Sequence, residues 1–394
     1  MNVDIIDTEE GFSQLRARWD AVHVLDPQAD YFLSWRWLWE VLRANPGKWQ
    51  ILAAREDRSG SEYLGFLPLR LSTRRSRSRG ELETELEAAG RLAWAQYTGF
   101  VCHPEWERPA ITAIAEAVRQ SPWAYFSLTN CSASADRLDL FLKGFDAGDY
   151  DVRWAERFDK GGAVDNLVCP FVELPADYET WLQRLGPNAR QKVRRFSRRL
   201  EASREMRISI TPPDEFRDRL EQMLELWLRK WEPVRGAEDA RYNVEKYQEI
   251  FSRSHACDAL FLPAFWQGET MLGALATIVD RDKRWMYFIA AGRDEESTEP
   301  AIGLLLHAFS IRWGIENGIR VYDLCHGNEP YKYSLGAIDR RIRNLEIRRR
   351  LHVPTGRFDP RCLGQALDRI VKYMQTDRVG DAVLACRQLR RLYR

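Results

Sequence analysis

RVYDLCHGNEPYKYSLGA, residues 320–337, combines a short apolar strand with a polar turn that carries more ionisable side chains than packing requires. Alternating apolar residues predict a strand through Asp323, and Gly327 belongs to the turn that follows it. Strand ends that open into such loops are where α/β proteins place their chemistry. We therefore expect a catalytic site at this turn, and its candidate residues are Asp323, His326, Glu329, Tyr331 and Lys332.

The segment before this turn predicts a place for a phosphate-bearing ligand. RWMYFIAAG, residues 284–292, has the composition of a buried strand, and a polar loop and a helix follow it. Pro300 lies at the expected start of that helix, and Asn317-Gly318 at its end. A helix N-terminus presents free backbone N–H groups and partial positive charge, which suit a pyrophosphate, and Gly303 would let the ligand approach closely. An ordinary strand–helix–strand crossover is the alternative interpretation.

Residues 284–337 resemble the core of a GNAT-type (Gcn5-related N-acetyltransferase) domain. The resemblance is closer to the tandem GNAT family, which includes CelD-like acetyltransferases and the related FemAB aminoacyltransferases. The late motif of that family is an Asp on a strand, then Gly, Asp or Glu, Pro, Tyr, Lys, and an aromatic–Gly pair. The matching residues of this sequence are Asp323, Gly327, Glu329, Pro330, Tyr331, Lys332 and Leu335-Gly336, with Leu335 where Phe is more usual.

The resemblance implies that acyl-CoA lies in a splay between two central strands, with its pyrophosphate on the following helix N-terminus. Here the usual phosphate loop of GNAT enzymes is degenerate, and Gly303 is its clearest remnant. Backbone N–H groups near Ile289–Ala291 are candidates to stabilise the oxyanion, and Gly292 and the helix start would hold the pyrophosphate. The predicted donor-binding residues are Ile289, Ala290, Ala291, Gly292, Ile302, Gly303 and Leu304.

The chemistry of N-acylation assigns roles to the residues of the turn. An amine must lose a proton to attack a thioester, so Asp323, Glu329 or His326 is expected to act as general base, directly or through water. Tyr331 would protonate the leaving thiolate, and Lys332 would position a phosphate or carboxylate. The alternative for Asp323 is a structural role that fixes the Tyr331 loop. His307, inside the predicted helix, is interpreted as structural.

Length and composition limit the class of protein. A chain of 394 residues with 45% hydrophobic and 30% charged residues suits two globular domains. Its net charge of +1 gives no global attraction to nucleic acid or to an anionic membrane. Seven cysteines without a Cys-x-x-Cys pair favour reduced thiols and argue against a zinc site, so no metal is expected. The acidic N-terminal sequence and the lack of a long apolar run predict a cytoplasmic protein.

Two copies of a strand–helix–helix–strand–strand–strand–helix–strand order predict an α/β fold. We expect two GNAT-like domains in tandem, each with a mixed, mostly antiparallel central sheet flanked by helices. The expected domains are an N-terminal one at 1–174 without a donor site, a C-terminal one at 175–355 with the acyl-CoA site, and a basic helical tail at 356–394. The first copy is expected to lack a donor site because Ser127–Arg137, its counterpart of the turn, offers no comparable cluster.

Other segments leave alternatives open. The Arg-rich stretch 188–204 is either an anion site or a solvated helix face with Glu partners. The aromatic group at 31–39 and Tyr97 form either core or a carbohydrate platform. The charged segment 73–85 is predicted to be a loop, and a turn is expected at Arg58–Gly60. The tail is expected to pack on the core, bind a partner or make peripheral contact with a membrane.

The sequence thus predicts an acyl-CoA-dependent N-acyltransferase, with acetyl-CoA or another acyl-CoA as co-substrate. Its acceptor would be an amino group of an envelope or exopolysaccharide sugar precursor, a small molecule or glycan precursor. No specific nucleic acid is expected as a partner, and the oligomeric state is left open. The alternatives are a FemAB-like transferase that uses aminoacyl-tRNA, and a catalytically inert GNAT-derived scaffold or regulator of polysaccharide synthesis.

Overall fold

A computed structural model describes residues 1–57, 62–353 and 355–392 of the chain. The turn expected at Arg58–Gly60 lies outside the described residues. Among the helices that are described, none has both the length and the apolar character needed to cross a lipid bilayer.

The strands are β1 (Asn2–Ile6), β2 (Trp49–Arg55), β3 (Tyr63–Arg75), β4 (Leu82–Ala88), β5 (Val101–Cys102), β6 (Tyr125–Cys131), β7 (Tyr150–Trp154), β8 (Phe158–Asp159), β9 (Val164–Asp165), β10 (Val168–Glu173), β11 (Met206–Ile210), β12 (Leu260–Phe261), β13 (Pro263–Gln267), β14 (Thr270–Asp280), β15 (Trp285–Arg293), β16 (Val321–Asp323), β17 (Ile338–Arg341) and β18 (Arg343–Arg349).

The α-helices are α1 (Glu9–Gln14), α2 (Arg16–Leu25), α3 (Trp35–Leu42), α4 (Glu107–Gln120), α5 (Ala135–Leu142), α6 (Tyr178–Arg184), α7 (Pro187–Glu201), α8 (Phe216–Arg235), α9 (Ala237–Ala256), α10 (Ile302–Glu316), α11 (Pro330–Tyr333), α12 (Leu363–Gln375) and α13 (Val379–Leu392). Short 3-10 helices lie at Tyr31–Leu33, Ala89–Ala93, Pro104–Trp106, Lys160–Gly162 and Pro360–Cys362.

The chain folds into two compact units, each built on its own mixed sheet. In the first unit the strand order is β1-β2-β3-β4-β6-β18-β7, and β5 pairs with β3. In the second unit the order is β11-β13-β14-β15-β16-β10-β17, and β12 pairs with β14. Between these strands, the pairs β4–β6 and β15–β16 are parallel and the others are antiparallel. This architecture confirms the predicted fold class, an α/β protein with two mixed, mostly antiparallel sheets flanked by helices.

The units differ in their bounds from the domains expected from the sequence. The first unit contains Met1–Glu156 and Ile342–Arg394, and the second contains Arg157–Arg341. The expected bounds were 1–174, 175–355 and 356–394. They differ because β10, assigned to the first domain, pairs with β16 and β17, whereas β18, assigned to the second, pairs with β6 and β7. Long-range strand pairing of this kind leaves no local signal in the sequence.

The charged segment 73–85, predicted to be a loop, is largely a hairpin. β3 runs to Arg75 and pairs antiparallel with β4, whose register places Arg70 opposite Glu87 and Arg74 opposite Glu83. Both cross-strand pairs are ion pairs, at 2.9 and 3.7 Å. The prediction was wrong because charged residues that pair across two strands appear in the sequence as one charged segment, which is also what a solvent-exposed loop shows.

The aromatic group of the first unit belongs to its interior. Trp37 and Tyr97 are fully buried, and Trp35 is 7% exposed. The ring of Trp35 stacks on that of Trp39 with centroids 4.9 Å apart and lies beside Phe12. A sugar platform needs exposed ring faces, so the burial of Trp35, Trp37 and Tyr97 favours the core interpretation for them, whereas Trp39 is half-buried.

Candidate active site

Strands β15 and β16 separate at the centre of the second sheet. They pair in parallel only from Trp285 opposite Val321 to Tyr287 opposite Asp323, where β16 ends. β15 continues to Arg293, and within the described residues no strand pairs with that edge of it beyond Tyr287. The continued part of β15 therefore has an open edge on the side of β16.

A bulge in β15 lies at this separation. Ala290 pairs with Ala276 of β14, but Phe288 pairs with Thr277, so Ile289 is an extra residue in the ladder. A bulge bends its strand and redirects local backbone groups. The predicted oxyanion donors, Ile289–Ala291, thus lie on the open-edged part of the strand.

Helix α10 begins with backbone N–H groups that no side chain caps. Ala301 precedes the helix without a capping side-chain hydrogen bond, and the first helical bond runs from the Leu305 N–H to the Ala301 carbonyl at 2.9 Å. The N–H groups of Ile302, Gly303 and Leu304 therefore precede the regular ladder. A Cβ built on Gly303 would find no atom within 4 Å. The helix begins at Ile302, so Pro300 precedes it and does not lie in its first turn as predicted, and there is room beside Gly303.

Gly292 does not have the surroundings expected of a pyrophosphate-binding residue. A Cβ built at this position would collide with the carbonyl group of Met223, and it would lie 3.1 Å from the Leu226 side chain. Both residues belong to α8, whose backbone therefore packs directly against β15. The close passage of α8 thus leaves no room for a side chain at Gly292, and its role in holding a pyrophosphate stays a prediction.

Asp323 is fully buried, and both of its carboxylate oxygens have partners. Arg340 donates a 2.6 Å hydrogen bond to Oδ2, and the Cys325 N–H donates one of 2.7 Å to Oδ1. Cys325 has φ of +53°, a left-handed conformation that is unfavourable for a residue with a Cβ. Asp323 therefore fixes the start of the turn, which agrees with the structural alternative for this residue.

Lys332 holds the turn from inside. Its side chain is buried, and the ammonium group donates to the carbonyls of Cys325, His326 and Gly327 at 3.3, 2.6 and 2.8 Å. An ammonium group has three protons, so these three hydrogen bonds use all of its donor capacity. The expected role of Lys332, positioning a ligand phosphate or carboxylate, does not fit this geometry.

Glu329 lies against Gly327 and the Lys332 ammonium group. Its Oε2 atom is 3.1 Å from Lys332 Nζ, but it is buried and forms no hydrogen bond. A Cβ on Gly327, whose φ is +94°, would lie 2.7 Å from the same oxygen. Glu329 thus retains a carboxylate oxygen with unused acceptor capacity, as a proton acceptor requires.

Tyr331 presents a protonated hydroxyl beside this carboxylate. Its side chain is partly exposed, and its ring centroid lies 6.0 Å from that of His307. Burial, with the neighbouring Glu329 carboxylate and Cys325 thiol, raises the pKa of Tyr331 above its usual value. A hydroxyl that stays protonated at neutral pH can act as a proton donor.

His326 faces the segment that leads into β10. Its Nδ1 atom is 3.1 Å from the Asn166 carbonyl and 3.7 Å from the Cys169 sulfur. A carbonyl only accepts, so in the neutral ring Nδ1 carries the proton and Nε2 is the basic nitrogen. This tautomer suits a proton acceptor at Nε2.

The Cys325 thiol influences three tyrosines electrostatically, and the sequence indicated only one of them, Tyr331, as a site residue. Cys325 contributes to the raised pKa values of Tyr331, of Tyr322 on β16 and of Tyr247 on α9, after burial, which is the largest cause for each. Sequence reasoning singled out neither Tyr322 nor Tyr247. Tyr247 packs with Phe251, four residues later on α9, and with Trp227 of α8, so its pattern was that of ordinary core.

A buried polar pair lies beneath the turn. His307 Nδ1 is 2.9 Å from the Tyr322 hydroxyl, and the His307 ring also packs on Phe288 with centroids 4.8 Å apart. Burial, aided by the positive charge of Lys332, lowers the pKa of His307 to about 3. The imidazole is therefore neutral and joins α10, β15 and β16, as expected of a structural histidine.

The Arg-rich stretch forms α7, and its charges are partly paired. Arg194 contacts Glu179, Arg195 lies over the Phe196 ring at 4.5 Å, and Arg199 forms a 2.9 Å ion pair with Glu299. Glu299 directly precedes the α10 start, so Arg199 brings positive charge to that end. In the part of the chain that the structure describes, no group of His, Cys, Asp or Glu side chains could hold a metal ion.

The chain resembles known proteins in part of its sequence and in its fold. Residues 187–333 match the family model described as an acetyltransferase (GNAT) domain. FemX is structurally similar, with 12% sequence identity, 88% of this chain and 97% of FemX covered, and a TM-score of 0.58. The C-terminal domain (DUF2156) of a protein described as a lysylphosphatidylglycerol synthetase from Agrobacterium fabrum gives 11% identity, 86% and 92% coverage and a TM-score of 0.50. At such identities the likeness is one of fold, and no curated protein matches the chain.

Proposed function

We propose that this protein, a GNAT-type N-acyltransferase with a tandem GNAT/FemAB-like fold, takes its acyl group from acyl-CoA in the cytoplasm. The acceptor in this proposal is an amino group of an envelope or exopolysaccharide sugar precursor. The observation that carries the choice of donor is the open edge of β15 beyond Tyr287, together with the uncapped start of α10, the next helix in the chain.

The residues at that edge fit the donor. A pantetheine arm has amide groups that pair with a free strand edge, and a diphosphate suits the N–H groups of Ile302, Gly303 and Leu304. The space beside Gly303 supports close approach of the diphosphate. Two carboxylates near the helix start, Glu295 and Glu299, are paired with Lys230, Arg293 and Arg199 at 2.8, 2.5 and 2.9 Å, which reduces their repulsion of a bound anion.

The turn residues supply the proton transfers. When bound, acyl-CoA provides an activated thioester whose carbonyl carbon the amine nitrogen attacks. Glu329 or His326 takes the proton that the nitrogen loses, and Tyr331 gives its proton to sulfur as the carbon–sulfur bond breaks. Backbone N–H groups of Ile289–Ala291 stabilise the negative charge that develops on the carbonyl oxygen. Asp323 and Lys332 position this machinery.

Ligand-induced thermal stabilisation tests the donor. A ligand at about 100 times its dissociation constant stabilises a protein by roughly 2.7 kcal/mol. We expect the melting temperature to rise with acetyl-CoA and with CoA, and not with uncharged tRNA. Absence of a rise with both CoA species rejects the acyl-CoA donor. Thiol release on addition of amino sugars, followed by a thiol reagent, then identifies the acceptor class.

An aminoacyl-tRNA donor is the second candidate, and the exposed guanidinium groups of α7 favour it. The Arg194 and Arg199 side chains are about half exposed on a helix that belongs to the matched domain. Stabilisation by tRNA that falls steeply with added salt, without stabilisation by CoA, would replace the first proposal with this one.

A further inference from the structure

Helices α12 and α13 of the first unit carry a second apolar surface on their outer sides. Their inner sides pack into the core of that unit through Ala366, Ile370, Tyr373, Ala382, Ala385 and Leu389. On the outer side of α12, Leu367, Val371 and Met374 follow one another at helical spacing and are 50, 50 and 56% exposed. On α13, Val379 and Val383 are 55 and 43% exposed. Each helix is therefore apolar on two sides, and packing against the core accounts only for the inner side.

The two outer stripes meet at a crevice. This cavity of about 300 Å³ is lined by Met374, Val379, Ala382, Val383, Cys386, Arg387 and Arg390. Most of these lining residues are apolar, and two of them, Arg387 and Arg390, carry a positive charge. We call the surface formed by Leu367, Val371, Met374, Val379 and Val383 the tail face.

Positive charge borders the tail face. Basic residues outnumber acidic ones along the two helices. The basic ones are Arg369, Lys372, Arg378, Arg387, Arg390 and Arg391, and the acidic ones are Asp368, Asp377 and Asp381. Asp381 forms ion pairs with Arg75 and Arg378, each at 2.5 Å, and Arg391 forms one with Glu81 at 3.1 Å. The cations that matter for the tail face are therefore Lys372, Arg387 and Arg390. The whole chain has a net charge of only +1, so this excess is local.

We propose that the tail face docks onto the surface of a membrane that contains anionic phospholipids. Exposed aliphatic side chains beside Lys372, Arg387 and Arg390 match an interface in which acyl chains lie below anionic headgroups. The long stems of arginine and lysine extend along apolar surface while their charges reach the headgroups. A second copy fits less well, because a two-fold interface would bring this basic rim against its own equivalent.

Sedimentation of the full-length protein with vesicles tests this docking. Wild type is expected to sediment with vesicles of phosphatidylcholine and phosphatidylglycerol and to stay in solution with phosphatidylcholine alone. The variants Val371→Glu and Met374→Glu should lower binding roughly tenfold, since each places a carboxylate in the apolar layer. A combined Lys372→Gln, Arg387→Gln, Arg390→Gln variant should lose about fivefold per cation removed.

Val24→Glu is the matched control. Val24 lies on α2 of the same unit and is 64% exposed, so the substitution adds the same charge at a comparably exposed residue that is not part of the tail face. It should bind vesicles like wild type, and circular dichroism should show all variants folded. Wild type that does not bind anionic vesicles, or binding that Val371→Glu leaves intact, overturns the proposal. If light scattering instead shows a dimer that Val371→Glu dissociates, the tail face binds a second copy of the chain, and the membrane proposal is likewise overturned.

Discussion

The ion pair between Asp323 and Arg340 crosses the strand that separates their own strands. Phe171 of β10 lies opposite Asp323, and Cys169 of the same strand lies opposite Arg340. Arg340 nevertheless reaches the fully buried carboxylate at 2.6 Å, and its guanidinium group lies 5.2 Å from the Trp285 ring centroid. This pair ties β16, β10 and β17 together at the point where the turn begins.

Replacing Asp323 with Asn is expected to lower the free energy of unfolding by about 3 kcal/mol, because it leaves the partly buried Arg340 without its charge partner. Urea denaturation measures this loss. Asp4→Asn is the control, since the Asp4–Arg55 pair at 2.8 Å is more exposed and should cost at most about 1 kcal/mol. If Asp323→Asn keeps wild-type stability but shifts the pH profile of kcat/KM, Asp323 is the general base and not a positioning residue.

Tyr331→Phe is expected to reduce kcat about 10²-fold with little change in the KM for the donor, since it removes a proton donor and keeps the ring. Steady-state kinetics of thiol release measure the effect. Tyr333→Phe is the matched control, because the Tyr333 hydroxyl lies nearby in the same short helix but donates to Asp339 at 2.8 Å. Equal losses in both variants would mean that the effect is structural.

Gly303→Ala is expected to weaken acyl-CoA binding roughly tenfold while the fold is preserved, because the new methyl group enters open space that the proposal reserves for a diphosphate. Gly364 occupies the same second position in α12, also with no atom within 4 Å of a built Cβ. Gly364→Ala should therefore raise helix stability by up to about 1 kcal/mol, as Gly303→Ala should, without an effect on CoA. Calorimetric titration with CoA separates the two, and unchanged affinity in Gly303→Ala would remove this glycine from the donor site.

Because His307 is buried as a neutral imidazole, the free energy of unfolding is expected to fall as the pH is lowered. Its pKa is about 3 in the folded chain and 6.5 as a free group, so between these values the unfolded state binds a proton that the folded state does not. Stability is fully present above pH 6.5 and declines as the pH falls, by at most about 1.4 kcal/mol per pH unit. His307→Gln should flatten this decline in urea titrations between pH 7 and pH 4. A slope identical to that of wild type would contradict the buried neutral imidazole.

Asp280 provides a comparison of opposite sign. Burial raises its pKa to about 6 from 3.8, so the folded state binds the extra proton in that interval. Its contribution to stability is present below pH 3.8 and is lost as the pH rises through 6. Asp280→Asn should therefore make the acid decline steeper, whereas His307→Gln makes it shallower. The same change of slope in both variants would mean that neither group dominates the titration.

The sequence predicted the second unit well near the motif. The predicted strand through Asp323 is β16, and the predicted helix after Pro300 is α10. The predicted turn at Gly327 lies between β16 and α11. These predictions succeeded because periodicity, proline and glycine act within a few residues of where they stand. The tail at 356–394 was likewise expected to be helical, and α12 and α13 are amphipathic helices.

The three-dimensional surroundings of individual side chains could not be predicted from these local patterns. Lys332 seemed suited to a ligand phosphate, but folding directs its ammonium group to three carbonyls of its own turn. Gly292 seemed suited to a pyrophosphate, but α8 covers it. Tyr247, some 80 residues before the motif, had no local feature that set it apart from core. Each outcome depends on which segment packs against the residue, and that partner is distant in the chain.

By itself the sequence determined the order of elements around the motif, the kinds of chemical group at the turn and the two-fold repetition of the α/β plan. The tertiary structure alone decided that β10 and β18 join the sheets they do, that Asp323 is neutralised by Arg340, and that β15 keeps an open edge beyond Tyr287. The physical reason is that local preferences are set by neighbours along the chain, whereas burial, charge pairing and free strand edges are set by contacts between segments that only folding brings together.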